Sequence, residues 1–265
     1  MSGLSPFLLV GLLDDAAIFP PGNAPLAVAV AEHAAHRHRP YAAALGPLVV
    51  RAADLPEVGA TEVAVVTGLD EAHAAVAAAG PRLRSLEVAL PPHATADEVR
   101  ALASLGVEVF VEVPRDARRT SVIRELAVTG LSAKFRTGGL SADLFPTIPE
   151  LAAAIELAVA AGVPFKATAG LHHAVRHTDP ATGFEHHGFL NLMLAAARAQ
   201  SGRPLGDIAA ALASRDDGAV ARAALELTPD VRTAFRSFGT CSIREPLDEL
   251  ARLDLLPHAW KEGAA

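Results

Sequence analysis

Five charged side chains recur at alternate positions of short apolar runs: Glu87, Glu112, Lys134, Arg136 and Lys166. In Ser85–Pro91, Leu86, Val88 and Leu90 oppose Glu87 and Ala89. In Glu108–Pro114, Val109, Val111 and Val113 oppose Glu108, Phe110 and Glu112. In Ser132–Gly138, Ser132, Lys134 and Arg136 share a face, and in Pro164–Gly170 so do Lys166 and Thr168. A lysine beside a second cation in a desolvated pocket can lose its proton and attack a carbonyl to form a Schiff base. A neighbouring carboxylate can then shuttle protons. Lys134 and Lys166 meet the first condition, with Arg136 adding charge for an anionic group. Glu87 and Glu112 are the proton-transfer candidates. A plug of ion pairs that only fills the interior is the competing reading.

A period of two requires strands with one greasy side. The strand candidates are Phe7–Gly11, Pro47–Ala52, Glu62–Gly68, Ser85–Pro91, Glu108–Pro114, Ser132–Gly138, Pro164–Gly170 and Arg236–Ser242. Helical patterns lie between them: Leu26–Arg39, Asp70–Ala79, Ala96–Leu105, Arg118–Val128, Ile148–Ala161, Leu190–Gln200 and Glu245–Leu253. Thr95 and Thr147 stand at helix starts, and Gly80, Gly106, Gly130 and Gly162 at helix ends. Strand–helix alternation predicts an α/β fold with a parallel sheet. Eight such units in 265 residues predict a single (β/α)8 TIM barrel over 1–265, with a long His-rich loop after strand seven; a doubly wound sheet is the rival. In a barrel the greasy faces pack under the helices, so the five charges point inward near the C-terminal ends of their strands, where such folds carry their sites.

Composition narrows the partners. The chain is 51% hydrophobic and 20% charged, with 23 Lys and Arg against 30 Asp and Glu, a net charge of −7. This excludes a disordered chain and argues against nucleic acid. No apolar run reaches the length of a membrane span. The stretch Phe7 to Leu13 has no positive lead-in and runs into Asp14-Asp15, so no secretory signal is expected. The single cysteine, Cys241, fits a reducing cytoplasm. The expected partner is a small anionic metabolite, with homo-oligomerisation left open.

Three motifs carry a resemblance. Ala133-Lys134-Phe135-Arg136-Thr137-Gly138-Gly139 resembles the strand-six lysine motif of the deoxyribose-phosphate aldolases, a class I aldolase family. Phe165-Lys166-Ala167-Thr168-Ala169-Gly170 is similar to that family's strand-seven motif, and Phe238-Gly239-Thr240-Cys241-Ser242 to its strand-eight motif. The resemblance implies a barrel lyase without a metal cofactor, in which Lys134 is the Schiff-base lysine and Lys166 its pKa-lowering neighbour. It also implies that Gly239 and Ser242 help to hold a phosphate, and that Glu112 matches the family's fifth-strand glutamate. Arg136 stands where the family has a small residue, which points to a carboxylate or extra negative charge on the substrate. Thr137-Gly138-Gly139 could lend backbone N–H groups to the same anion.

After Gly170, five of the eleven histidines fall within 16 residues: His172, His173, His177, His186 and His187. Asp179, Pro180, Thr182 and Gly183 predict a hairpin-like lid over the site. One reading is substrate contact or acid–base work by His173 or His187. The alternative is a metal-dependent lyase or hydrolase, in which His172, His177 and His187 join Asp15 around a divalent ion such as zinc. A third reading is a protein that binds an anionic metabolite without chemistry. Asp14 and Asp15 are expected on the rim after strand one, and His33, His36 and His38 on a solvated helix face. No Gly-x-Gly-x-x-Gly, P-loop or Gly-x-Ser-x-Gly motif is present.

Overall fold

The computed structural model describes residues 3–261. Eight parallel strands close into a barrel: β1 (Leu13–Asp15), β2 (Leu45–Arg51), β3 (Val63–Gly68), β4 (Leu83–Ala89), β5 (Glu108–Glu112), β6 (Ser132–Arg136), β7 (Phe165–Thr168) and β10 (Phe235–Thr240). Their order around the barrel is β1-β10-β7-β6-β5-β4-β3-β2. The remaining strands, β8 (His177–Thr178) and β9 (Glu185–His186), form a separate antiparallel hairpin.

The alternation of the central strands drives this closure. Leu86, Val88, Val109, Val111, Ala133 and Ala167 are all buried in one apolar core with the helices outside them. The rings of Phe135, Phe165 and Phe235 continue that layer, with centroids 5.2 and 5.4 Å apart in turn. Burying such side chains is the main favourable contribution to the fold. Trp260, on the short His258–Lys261 helix, is buried in the same core.

Local signals set the helix ends. Thr95 starts Ala96–Ala101, and Thr147 starts Ile148–Ala160. Each accepts the N–H of a glutamate three residues on, in a reciprocal capping box. Gly106 and Gly130 end their helices with φ of 67° and 73°, a conformation that Cβ-bearing residues avoid.

Two expectations fail near the first strand. Phe7–Gly11 is not a strand. Pro6–Leu9 is a short helix with Pro6 in its first turn, and it buries Leu8 and Leu9. The proline pre-sets helical φ at that position, and the four-residue apolar run carries no period that marks it as extended. The strand lies further on, at Leu13–Asp15, so Asp14 and Asp15 belong to the barrel wall and not to the loop after it. Between β9 and β10 three helices follow Phe189–Gln200 that sequence patterning missed: Leu205–Ala213, Asp217–Leu225 and Val231–Ala234. Asp216, whose side chain accepts the Ala219 N–H at 2.8 Å, is the start signal that was present for the second of these.

Candidate active site

Register places the chemistry. Glu112 on β5 is level with Lys134 on β6, and Lys134 with Lys166 on β7. Inside the barrel these meet Glu87 from β4 and Asp14 from β1. The six charges form an alternating chain. Lys166 Nζ donates to the Asp14 carboxylate and to Glu87 Oε1, the latter at 2.5 Å. Lys134 Nζ lies 3.2 Å from Glu87 Oε2 and 3.1 Å from Glu112 Oε2. Arg136 Nε donates to Glu112 Oε1 at 2.9 Å. Ser237 Oγ on β10 donates to Asp14 Oδ2 at 2.6 Å. Three carboxylates thus balance three cations, which is what permits so much charge inside a barrel.

The balance fixes protonation. Burial alone would raise the Glu87 carboxyl, but Lys166 and Lys134 hold it at about 2. Burial also acts to strip Lys166 of its proton, yet Asp14 and Glu87 outweigh it and keep the ammonium above the ordinary lysine range. Asp14 is pushed up by burial, which Lys166 and Ser237 offset only in part. For Glu112, burial is again outweighed, here by Lys134 and Arg136, and the carboxyl sits below its usual range. The expectation that Lys166 shares a lowered pKa with Lys134 is therefore corrected: two carboxylates make Lys166 a fixed cation.

Above the chain, at the C-terminal ends of the strands, lies a cavity of about 820 Å³. Lys134, Glu87 and Arg136 line it, together with Thr168, Gly139, Gly239 and Ser242. Lys166 is 1% exposed and sits below, its ammonium 5.3 Å from the Phe110 ring. Glu112 braces Lys134 and Arg136 from the β5 side. Gly138 packs behind the wall, where a Cβ would come within 2.9 Å of Phe145. Thr137 ties the loops after β6 and β7 together by donating to Ala169 O at 2.7 Å.

The His-rich segment does fold back as a hairpin lid, β8 and β9, with His177 opposite His186. His172, His173, His177 and His186 line the cavity. His173 Nδ1 is 3.4 Å from Glu249. His172 Nδ1 bonds Glu245 at 2.7 Å, with Cys241 Sγ 3.6 Å from its Nε2. Burial raises the Cys241 thiol, which disfavours the thiolate.

The proposed metal set His172, His177, His187 and Asp15 is not brought together. His187 is fully buried, its Nε2 bonding Pro146 O at 2.9 Å and its Nδ1 facing Arg176 at 3.3 Å. Burial drives its pKa down to about 4. Neither a cavity-facing acid nor a cavity-facing base is available from it. Asp15 turns outward to His33 Nδ1 at 2.9 Å, both buried, so His33 is not on a solvated face either. Among the described residues no three His, Cys, Asp or Glu side chains converge to hold a metal ion.

Sequence reasoning allowed Asp14 to balance the cationic patch but set it on the rim and not in the barrel wall, and it missed Ser237 as a partner in the charge chain. A three-residue strand shows too little alternation to reveal which way Asp14 points. One signal was available at Gly46, where any Cβ would collide with the Asp14 carboxylate. A second cleft of about 500 Å³, between the Leu26–His36 and Arg244–Arg252 helices, holds none of the charge chain.

Fold and site together define a (β/α)8 barrel with a cavity at the C-terminal ends of its strands, lined by the buried Lys134 with Lys166 beneath it. Among solved structures the chain is similar to the tetrameric deoxyribose phosphate aldolase from Aeropyrum pernix, with a TM-score of 0.51 and 17% identity over 94% of this chain and 93% of that one. The resemblance read from strand-end motifs thus extends to the fold. No family model matches the chain, and no curated protein matches it. Among the described residues no helix is long and apolar enough to cross a membrane.

Proposed function

We propose that the protein is a lyase of the class I aldolase type, acting through a Lys134 Schiff base on a small anionic carbonyl compound in the cytoplasm. The observation that carries this reading is the division between the two lysines. Lys134 faces the cavity, while Lys166 lies beneath it as a permanent cation. A fixed positive charge one strand away favours loss of the Lys134 proton once a substrate enters and excludes water.

Arg136 is the anchor for the substrate's carboxylate or phosphate. Its guanidinium is about a third exposed and engages Glu112 through Nε and Nη2. An incoming anion competes with Glu112 for Arg136. Glu112, relieved of one cation, becomes the stronger base and takes the proton from Lys134. The neutral amine then adds to the carbonyl carbon, and the carbonyl oxygen leaves as water, taking one proton from the nitrogen and the other back from Glu112. The resulting iminium accepts the electron pair of the breaking C–C bond and becomes an enamine, while the β-hydroxyl gives its proton to Glu112 and its carbon departs as an aldehyde. Of the two carboxylates, both within 3.2 Å of Lys134, Glu112 is the proton carrier, since Glu87 is clamped between both lysines. Self-association like that of the tetrameric neighbour belongs to the same reading, and light scattering tests it.

Borohydride reduction in the presence of pyruvate or glyceraldehyde 3-phosphate should add mass to the tryptic peptide carrying Lys134. Lys134→Ala should abolish it. Equal trapping in Lys134→Ala, or none with any carbonyl in wild type, overturns the reading.

A further inference from the structure

Resting on the reading that this cavity is the substrate site, its lid defines what the far end of the substrate must be. Five rings run in sequence along one wall. His173 meets His177 at 4.2 Å, edge to face, and His177 meets His186 at 5.1 Å. His186 meets Phe145 at 4.7 Å, and Phe145 meets Phe184 at 5.3 Å. All five line the cavity, and Phe19 lines it as well.

The wall is held in place. His177 and His186 sit in register on the hairpin. The hairpin is fastened by Glu185, which binds Arg176 at 2.8 Å and also Arg215. The Nδ1 atoms of the three imidazoles already face protein oxygens: Glu249 for His173, Val175 O for His177 and Gly170 O for His186. Burial, with His173 and His186 nearby, holds His177 below the ordinary histidine range, which favours its neutral form. What this wall offers a ligand is therefore mainly ring faces and edges, beside the Nε2 atoms of the three imidazoles, fixed before binding. Such surfaces favour another planar ring, in offset or edge-to-face contact. The cavity's 820 Å³ also lies in the range of ring-bearing ligands.

We infer that the cavity selects carboxylates carrying a planar aromatic or heteroaromatic ring, with the carboxylate at Arg136 and the ring against the His173–His177–His186–Phe145–Phe184 wall.

Titration calorimetry of the wild-type protein with carbonyl-free acids tests this apart from any Schiff base. 3-Phenylpropionate should bind at least about tenfold more tightly than propionate, the gain expected from burying one phenyl group. It should also bind more tightly than 3-cyclohexylpropionate, which has similar bulk but no π face. Phe184→Ala and His177→Ala should each reduce the phenyl preference, with Arg136→Gln weakening all three acids alike. Circular dichroism checks that each variant folds, and two independent wall positions guard against the loss of one. Equal binding of phenyl and cyclohexyl acids, or a preference unchanged in both folded wall variants, overturns the inference. None of the probes can form an imine, so a failure of borohydride trapping would refute the lyase chemistry and leave this result standing.

Discussion

Glu87 is the centre of the charge chain, and Glu87→Gln tests the electrostatic account of the site. The side chain is 2% exposed and touches both lysines. Its carboxyl is held at about 2 against an ordinary 4.5. At about 1.4 kcal/mol per pKa unit, that difference corresponds to about 3 kcal/mol favouring the folded protein at neutral pH. Removing one partner of a buried ion pair costs about 3–5 kcal/mol, so two independent routes agree. The folded-state pKa is depressed, so the contribution is fully present above pH 4.5 and is lost as pH falls through 2. Urea unfolding of wild type and Glu87→Gln should therefore differ by about 3 kcal/mol at pH 7, and by less than half of that at pH 3. A variant within about 0.5 kcal/mol of wild type at pH 7 would refute the argument, since that is the range of unremarkable surface changes. So would a difference that stays constant down to pH 2.

Other positions give independent checks. His187 is buried and neutral with its pKa lowered from 6.5 to about 4, so stability is full above pH 6.5 and falls as the pH drops toward 4. The loss should be about 3 kcal/mol in wild type and should largely vanish in His187→Gln, read from unfolding midpoints at pH 7 and 4. Ala169, beside the cavity, has φ of 69°, a left-handed conformation that strains an alanine. Ala169→Gly should raise stability by about 1 kcal/mol, seen as a melting point about 2–4 °C higher. Gly46→Ala drives a methyl group into the Asp14 carboxylate and should cost about 1–3 kcal/mol in urea unfolding. Gly206→Ala, where a Cβ meets open space, is its control.

Much of this protein was legible as pattern. Strands β4 to β7 betray themselves by alternation, because every second residue of a parallel barrel strand must face the helices and be apolar. The residues that break the apolar rule, Glu87, Glu112, Lys134, Arg136 and Lys166, are then forced inward. The capping residues Thr95 and Thr147 act within one helical turn, so neighbouring sequence suffices to read them. The turn residues 179 to 183 announced the hairpin for the same local reason. Phe7–Gly11 defeated this approach, because a short apolar run carries no period to separate helix from strand.

Local pattern also says which charges enter the barrel, but not whom they meet. Asp14 reaches Lys166 across 152 residues of sequence, and Glu87 reaches it across 79. Those meetings exist only because the barrel closes β1 onto β10 and brings non-adjacent strands to one axis. The partners in turn decide the chemistry. Two lysines with nearly the same neighbours in sequence become a cation buried beneath the cavity and a side chain that lines it. The histidines divide likewise, into a ring wall, a buried neutral His187 and a His33 paired with Asp15. Protonation depends on burial and on charges a few ångströms away, and those distances are set by the closed barrel and not by position along the chain.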